Sequence, residues 1–365
     1  MSKVAIFLTA LDGGGAEKVM LNLAQGFIES GISVDLLLVK AEGSYLSQIP
    51  PEVKLIDFQA HRLLSSIFSL ISYLKTKQPQ ALITALDTNV IAAWLRRWGG
   101  ISTTTIVTVH NNLSLESRHA KSIKRKLTAK FARWFYGWAD NIVAVSHGVA
   151  QDLLKIGLPK EKIKVIYNPI VTSELMKKLQ EQNSLDSSWF APGEPPVILG
   201  VGRLNEQKDF PTLIKAFAQL RQQQSVRLII LGEGEERSNL QALIEELDIT
   251  QDVALPGFVD NPYIYMANAT VLVLSSAWEG FGNVLVEAMA AGTPVVSTDC
   301  PSGPAEILAN GKYGKLVAVG NKKELAQAIE KTIQQKSNPD ILRQRANDFT
   351  LKQAIMHYVN LFNVN

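Results

Sequence analysis

The sequence predicts a doubly wound α/β architecture, written twice. Short runs rich in Val, Ile and Leu alternate with amphipathic helical patterns along the chain, which is how parallel sheets covered on both faces read. The pattern lapses once, into the polar, Pro-rich stretch EQNSLDSSWFAPGEPP, and then restarts with a fresh first strand. The length of 365 residues, at roughly 150 residues per domain, asks for two domains.

Taken in order, the first half offers strands at 4–10, 33–39, 53–58, 81–86, 103–110 and 141–146. Helical patterns fill the gaps at 16–30, 62–77, 88–98, 118–138 and 148–156. The second half offers strands at 196–202, 226–232, 253–258, 269–276, 293–299 and 315–319, with helices at 209–222, 235–247, 262–268, 282–291, 304–309 and 321–335. A last amphipathic helix, 350–362, follows the completed second sheet. The expected division is a first domain over 1–170, a linker over 171–196, a second domain over 197–347 and the terminal helix over 348–365.

Composition removes several classes of function. Apolar residues at 46% and charged residues at 19% describe an ordinary globular core. The single cysteine, Cys300, excludes an internal disulfide and any zinc site built on two thiolates. The five histidines show no HxH or HxxxH spacing. No apolar run reaches the ~18 residues of a membrane span. The opening MSKVAIFLTALDGGG reads as a strand and its turn rather than a signal peptide, so a cytoplasmic location is expected. The net charge of +3 hides an asymmetry. Residues 1–170 carry 20 Lys and Arg against 12 Asp and Glu, net +8, and the remainder carries net −5. The basic half is expected to meet something anionic.

In open α/β sheets ligands bind beyond the carboxyl ends of the strands, so the loops there carry the functional reading. The first, Asp12-Gly13-Gly14-Gly15-Ala16-Glu17, opens a helix, and its glycines permit close backbone approach to an anion. It is not GxGxxG, and Lys40 stands where a dinucleotide site needs an acid, which argues against an oxidoreductase. The second loop, Gly202-Arg203-Leu204-Asn205-Glu206-Gln207-Lys208, sets two cations in one turn and suits a diphosphate. The third, from Ser275 to Ala288, places Glu279 before a helix and Glu287 inside it, with Gly280 and Gly282 freeing the backbone between.

The spacing of Glu279 and Glu287 resembles the E-x7-E motif of retaining GT-B glycosyltransferases of family 4. The likeness extends, in order, through GGGAEKVMLNLA (13–24), VTVHN (107–111), AVSHGVAQDL (144–153), GVGRLNEQKDFPTLIKAF (200–217), LGEGEER (231–237) and EGFGNVLVEAMAAGTPVVSTDCPSGPAEIL (279–308). It implies a GT-B fold: two Rossmann-like parallel-sheet domains facing each other across a cleft, with the C-terminal helix crossing back to the first. It implies a UDP-sugar donor, with Arg203 and Lys208 on its diphosphate and Gly14 and Gly15 approaching it. Glu287 takes the ribose, Phe258 and Val259 the base. Glu279 and His110 face the transferred sugar, the backbone of Gly280, Phe281, Gly282, Asn283 and Val284 completes the cradle, and Glu306 is a further candidate.

The activity implied is retaining transfer of a hexose or N-acetylhexosamine to a glycan or lipid-linked acceptor in bacterial-type glycan assembly. No D-x-D occurs anywhere, so metal-independent transfer is expected, with two cations and a helix N-terminus taking the charge of the leaving group. A GT-B epimerase or a non-catalytic nucleotide-sugar binder keeps the fold. A silent binder is expected to lose part of Arg203, Lys208, Glu279, Glu287 and His110, and all five are present.

Residues 118–138, RHAKSIKRKLTAKFARWFYGW, hold seven Lys and Arg and no acid. Ile123, Leu127, Phe131, Trp134 and Trp138 repeat at helical spacing along one face. Docking of that face on the first sheet explains the stripe but not the missing acids. A helix that also touches an anionic membrane explains both, and places the protein peripherally on the inner face of the plasma membrane. Nucleic acid is not expected, since no nucleic-acid-binding motif accompanies the charge.

Overall fold

The computed structural model describes residues 2–120, 122–181, 188–335 and 337–362, with the side chain of Lys124 outside that set. The chain divides into two compact units, Met1–Pro169 with Thr350–Asn365, and Ile170–Phe349.

In the first unit β1 (Lys3–Leu8), β2 (Ser33–Leu38), β3 (Lys54–Asp57), β4 (Ala81–Ala85), β5 (Thr104–Val109), β6 (Asn141–Ala144) and β7 (Ile163–Val165) form one sheet in the order β3-β2-β1-β4-β5-β6-β7. Every neighbouring pair is parallel. The helices are α1 (Gly15–Glu29), α2 (Ile67–Lys77), α3 (Thr88–Trp98), α4 (Leu113–His119), α5 (Ile123–Lys126), α6 (Thr128–Phe135) and α7 (His147–Lys155). The central strands are buried almost end to end, as their unbroken apolar runs require. One face of this sheet packs Ala5, Phe7, Leu37 and Leu82 against Leu70 and Leu74 of α2 and Ile91 and Leu95 of α3.

In the second unit α8 (Ser173–Gln180) precedes a sheet of β8 (Val197–Val201), β9 (Arg227–Leu231), β10 (Val253–Gly257), β11 (Val271–Leu274), β12 (Val295–Thr298) and β13 (Lys315–Val317), ordered β10-β9-β8-β11-β12-β13. Its pairs are parallel too. The connecting helices are α9 (Phe210–Arg221), α10 (Arg237–Glu246), α11 (Pro262–Asn268), α12 (Asn283–Ala291), α13 (Pro304–Ile307), α14 (Lys322–Gln334) and α15 (Pro339–Ala346). The chain ends with α16 (Leu351–Asn360), which docks on α1 of the first unit. Leu351 and Ile355 lie where a Cβ on Gly26 would come within 2.6 Å of each, so the helices meet over a bare backbone. Tyr358 meets Phe27 edge-on at 6.3 Å.

Three readings need correction. The expected linker is structured at its start. Ile170 and Val171 donate to Phe349 O, Thr172 Oγ1 caps α8, and Leu175 is buried as α8 packs on α11 and α12. Residues 182–187 of that stretch lie outside the described residues. The basic segment is not one helix but α5, α6 and a 3-10 turn after them, preceded by the end of α4. Ala120 is extended, and serine hydroxyls cap the next two helices: Ser122 Oγ accepts from Arg125 N and Ser117 Oγ from Ala129 N. Its apolar stripe is also not one face, since Ile123 and Trp134 are exposed whereas Leu127, Phe131 and Trp138 are half-buried. Lys121 lies outside the described residues.

The strand order reverses between β1 and β4 in the first sheet and between β8 and β11 in the second. The loops after these strands flank a topological switch point, where an open sheet leaves a crevice for a ligand.

Candidate functional site

In the second unit the loops after β8 and β11 are stitched together. Ala277 N donates to Gln207 O at 2.8 Å, and Gln207 Nε2 to Trp278 O at 3.0 Å. Ser275 Oγ donates to Lys208 O at 2.8 Å. These bonds bring Lys208 Nζ to 2.6 Å from Glu279 Oε1, and Ser276 Oγ donates to the same oxygen at 2.6 Å. Both ends of the pair are largely buried, with side-chain exposures of 18% and 8%. Glu279 Oε1 is thus occupied twice, while Oε2 makes no hydrogen bond among the described residues. A carboxylate fixed through one oxygen presents the other as a preset acceptor for a hydroxyl.

Arg203, on the same loop as Lys208, is exposed, and its guanidinium makes no ion pair among the described residues. An unengaged guanidinium beside a buried ammonium suits an anion with several oxygens. Gly282 starts α12 in the left-handed region at φ +100°, Leu285 N donates back to Gly282 O at 3.0 Å, and the N-terminal end of a helix favours an anion. Gly280, Phe281 and Gly282 are buried, Asn283, Val284 and Glu287 half-buried. Phe258 is 55% exposed just past β10, and Val259 beside it is half-buried.

Close backbone contacts set these loops. A Cβ on Gly232 would lie 2.0 Å from Gly202 O, and one on Gly234 2.2 Å from Leu204 O. Leu204 N donates to Glu233 O at 2.8 Å. The glycines of LGEGEER therefore let the loop after β9 press on the loop that carries Arg203. Glu279 N donates to Pro301 O at 3.2 Å, joining the cradle to the loop after β12. Glu306 is half-buried in the first turn of α13, and its backbone O accepts from Arg345. Cys300 is buried, and its thiol pKa is raised by that burial and by the charge of Glu279.

In the first unit Gly14 N donates to Glu17 Oε2 at 2.6 Å, the third residue of α1 reaching back to cap it. Gly14, expected to approach a diphosphate, thus has its N–H engaged by a carboxylate. Gly15 beside it is exposed. His110 comes directly after β5. Its Nε2 lies 2.9 Å from Thr108 Oγ1, which donates its proton to Thr84 O at 2.7 Å. The hydroxyl must then accept from the ring, so Nε2 carries the hydrogen and Nδ1 is a bare acceptor. Nδ1 is enclosed and has no partner among the described residues. Burial pushes the His110 pKa down to about 4, so the ring is neutral at physiological pH.

This shift has a sign that can be measured. The unfolded chain binds a proton at His110 below pH 6.5 and the folded one only near 4, so stability is intact above 6.5 and falls as the pH drops toward 4. The expected loss at pH 4 is at most about 3 kcal/mol. Denaturant titrations of wild type and His110→Asn across pH 4–7 should show a shallower slope in the variant; equal slopes would exclude a buried neutral His110.

Sequence reading did not single out Gln207, Ser275, Ser276, Glu17 or Thr108 for their supporting roles. All five flank residues it did name, and proximity in the loops was the only signal available. Among the described residues no group of three or more His, Cys, Asp or Glu is gathered as for a metal ion.

Known proteins match the chain along the same division. The family described as Glycosyltransferase Family 4 matches residues 13–174, and Glycosyl transferases group 1 matches residues 181–349. The chain is 30% identical over 343 residues, 90% of each chain, to the N-acetylgalactosamine-N,N'-diacetylbacillosaminyl-diphospho-undecaprenol 4-alpha-N-acetylgalactosaminyltransferase of Campylobacter jejuni. Among solved structures it resembles the lipopolysaccharide outer core galactosyltransferase WaaB, with a TM-score of 0.73, 25% identity and 99% of each chain covered. The sucrose-phosphate synthase of Thermosynechococcus elongatus superposes with a TM-score of 0.81 at 19% identity, covering 99% of this chain and 98% of that one.

The fold is GT-B and the protein is a glycosyltransferase. Within that class, the chain belongs to the family 4, group 1 glycosyltransferases.

Proposed function

We propose that the enzyme transfers a hexose or N-acetylhexosamine from a UDP-sugar to a glycan or lipid-linked acceptor, with retention and without a metal, in bacterial-type polysaccharide, lipopolysaccharide or glycolipid assembly. The observation that carries the reading is the buried Lys208–Glu279 pair at the switch point of the second sheet. Lys208 and Arg203 hold the diphosphate, and the first turn of α12 adds its N–H groups. Breaking the sugar–phosphate bond adds negative charge to the leaving group, and these donors stabilise that charge as it forms. The positive charge developing on the sugar lies beside Glu279, whose Oε2 takes a sugar hydroxyl. Glu287 takes the ribose. The departing phosphate oxygen accepts the acceptor's proton on the same face, which preserves the anomeric configuration.

The printed activities of the Campylobacter jejuni relative and of the WaaB galactosyltransferase favour an N-acetylgalactosamine or galactose donor. The first of these acts on a diphospho-undecaprenol-linked acceptor. That favours a peripheral place on the cytoplasmic face of a membrane, met through 118–138. No helix among the described residues is long and apolar enough to cross one.

Arg203→Ala and Lys208→Ala are each expected to weaken UDP binding about 10- to 100-fold, the loss of a charge-assisted contact. Calorimetry with UDP checks this, and wild-type affinity in both variants would mean that the diphosphate lies elsewhere. Nucleotide release from UDP-hexoses should persist in EDTA; its loss would overturn the metal-independent step.

A further inference from the structure

The cationic segment alone does not define an apolar surface, because half of its stripe faces inward. The folded chain supplies the rest from a different helix. α3 packs against α6 and the turn after it. α3 turns Trp94 and Trp98 outward, one helical turn apart, at 37% and 62% exposure. Across the packing, α5 and α6 expose Ile123 at 77% and Trp134 at 61%. Exposed tryptophans from neighbouring helices are unusual on a soluble surface, where large side chains are buried.

The charge around them is predominantly positive. Arg97 lies over the Trp98 ring at 4.9 Å. Arg118, Arg125, Lys126, Lys130 and Arg133 are exposed, and none of these six is in an ion pair among the described residues. Of the neighbouring acids, Glu116 is half-buried, accepts from Asn111 and attracts Arg125, Asp140 pairs with Arg96, and Asp87 is exposed at the start of α3, the opposite end of that helix from Trp98.

We propose that α3, α5 and α6 together form a docking surface for an anionic lipid bilayer, with Trp98 and Trp134 seated at the headgroup level and Arg97 serving with the cations of α5 and α6. Tryptophan favours that interface because its ring is apolar and its N–H is wet, while cations gain from the anionic headgroups. The inference deepens the membrane part of the proposed function, and its test does not pass through sugar transfer.

The test is co-sedimentation of the full chain with vesicles of phosphatidylcholine containing phosphatidylglycerol, against phosphatidylcholine alone. Binding is expected only to the anionic vesicles and should fall at least about tenfold at high salt. Trp98→Ser is expected to weaken it as much as Trp134→Ser, and Arg97→Gln by about fivefold, as for each cation of α5 and α6. Wild-type binding by both α3 variants would overturn the composite surface and leave α5–α6 alone. Failure of the wild-type protein to bind, or tighter binding to duplex DNA than to the vesicles, would overturn the lipid assignment. Nucleotide release in solution should be unchanged in all three variants, so its loss elsewhere would speak to the donor site instead.

Discussion

Glu279→Gln is expected to leave a folded protein that binds UDP and transfers sugar about 10²- to 10³-fold more slowly, the size of loss seen when one group aimed at developing charge is removed. The amide keeps an oxygen for Ser276 Oγ and Lys208 Nζ, both 2.6 Å from the present carboxylate, so the loop after β11 keeps its anchor. It loses the negative charge beside the sugar. Glu279→Ala removes the anchor as well and leaves Lys208, whose side chain is 18% exposed, without its partner. Breaking a largely buried pair from one side costs about 3–5 kcal/mol, discounted for the exposure Lys208 retains. UDP should bind both variants at least as well as wild type, because the carboxylate that competes with the diphosphate for Lys208 is gone. Single-turnover transfer and UDP calorimetry on the two variants separate the chemical role from the structural one. Turnover by Glu279→Gln within a few-fold of wild type would show that the carboxylate only holds the loop.

The same pair shows what could be read from the chain alone. Arg203, Lys208 and Glu279 stood out because fixed charges in Gly-rich turns after apolar strands have few other reasons to be there, and Glu287 because it is a charge inside the otherwise apolar helix NVLVEAMAA. What periodicity could not show is that Lys208 and Glu279 touch, since 71 residues separate them and the side-by-side pairing of β8 and β11 brings their loops together. The strands were legible for a similar reason. Both faces of a parallel sheet are covered, so its strands are apolar throughout. β7 escaped because it is a three-residue edge strand, IKV, with one lysine exposed. α8 was hidden in a stretch read as linker, where Leu175 is its only buried side chain. The basic segment was over-read as one helix. Hydrophobic spacing reports which residues could share a face, but Ser117 and Ser122, as hydroxyl caps, decide where helices start. The Gly14 loop was legible as a glycine-rich turn opening a helix, but it did not show that Glu17 in the same block takes the Gly14 N–H.

Gly303→Ala should be the most damaging small change in the second unit. Gly303 has φ +97°, and a Cβ there would lie 1.8 Å from Phe281 O and 2.4 Å from its carbonyl carbon. Neither atom belongs to a flexible side chain. Phe281 is also held by its side chain, because its ring is buried and meets Phe349 edge-on at 5.4 Å. Glu279 N, bonded to Pro301 O, fastens the two loops together just upstream. An added methyl must therefore push apart the loop after β12 and the loop that carries Glu279 and the start of α12. Gly320 supplies the control: it has φ +73° and nothing within 4 Å of its own added Cβ. Gly320→Ala incurs only the left-handed backbone penalty, about 1–2 kcal/mol. Gly303→Ala adds overpacking of about 1–3 kcal/mol to that penalty. Its displacement of the cradle should lower kcat/KM about 10²-fold, as a misplacement of the order of 1 Å does. Denaturant unfolding and transfer kinetics on both variants test the difference. Equal losses in the two would mean that backbone conformation alone fixes this loop, and that contact between Gly303 and Phe281 does not position Glu279.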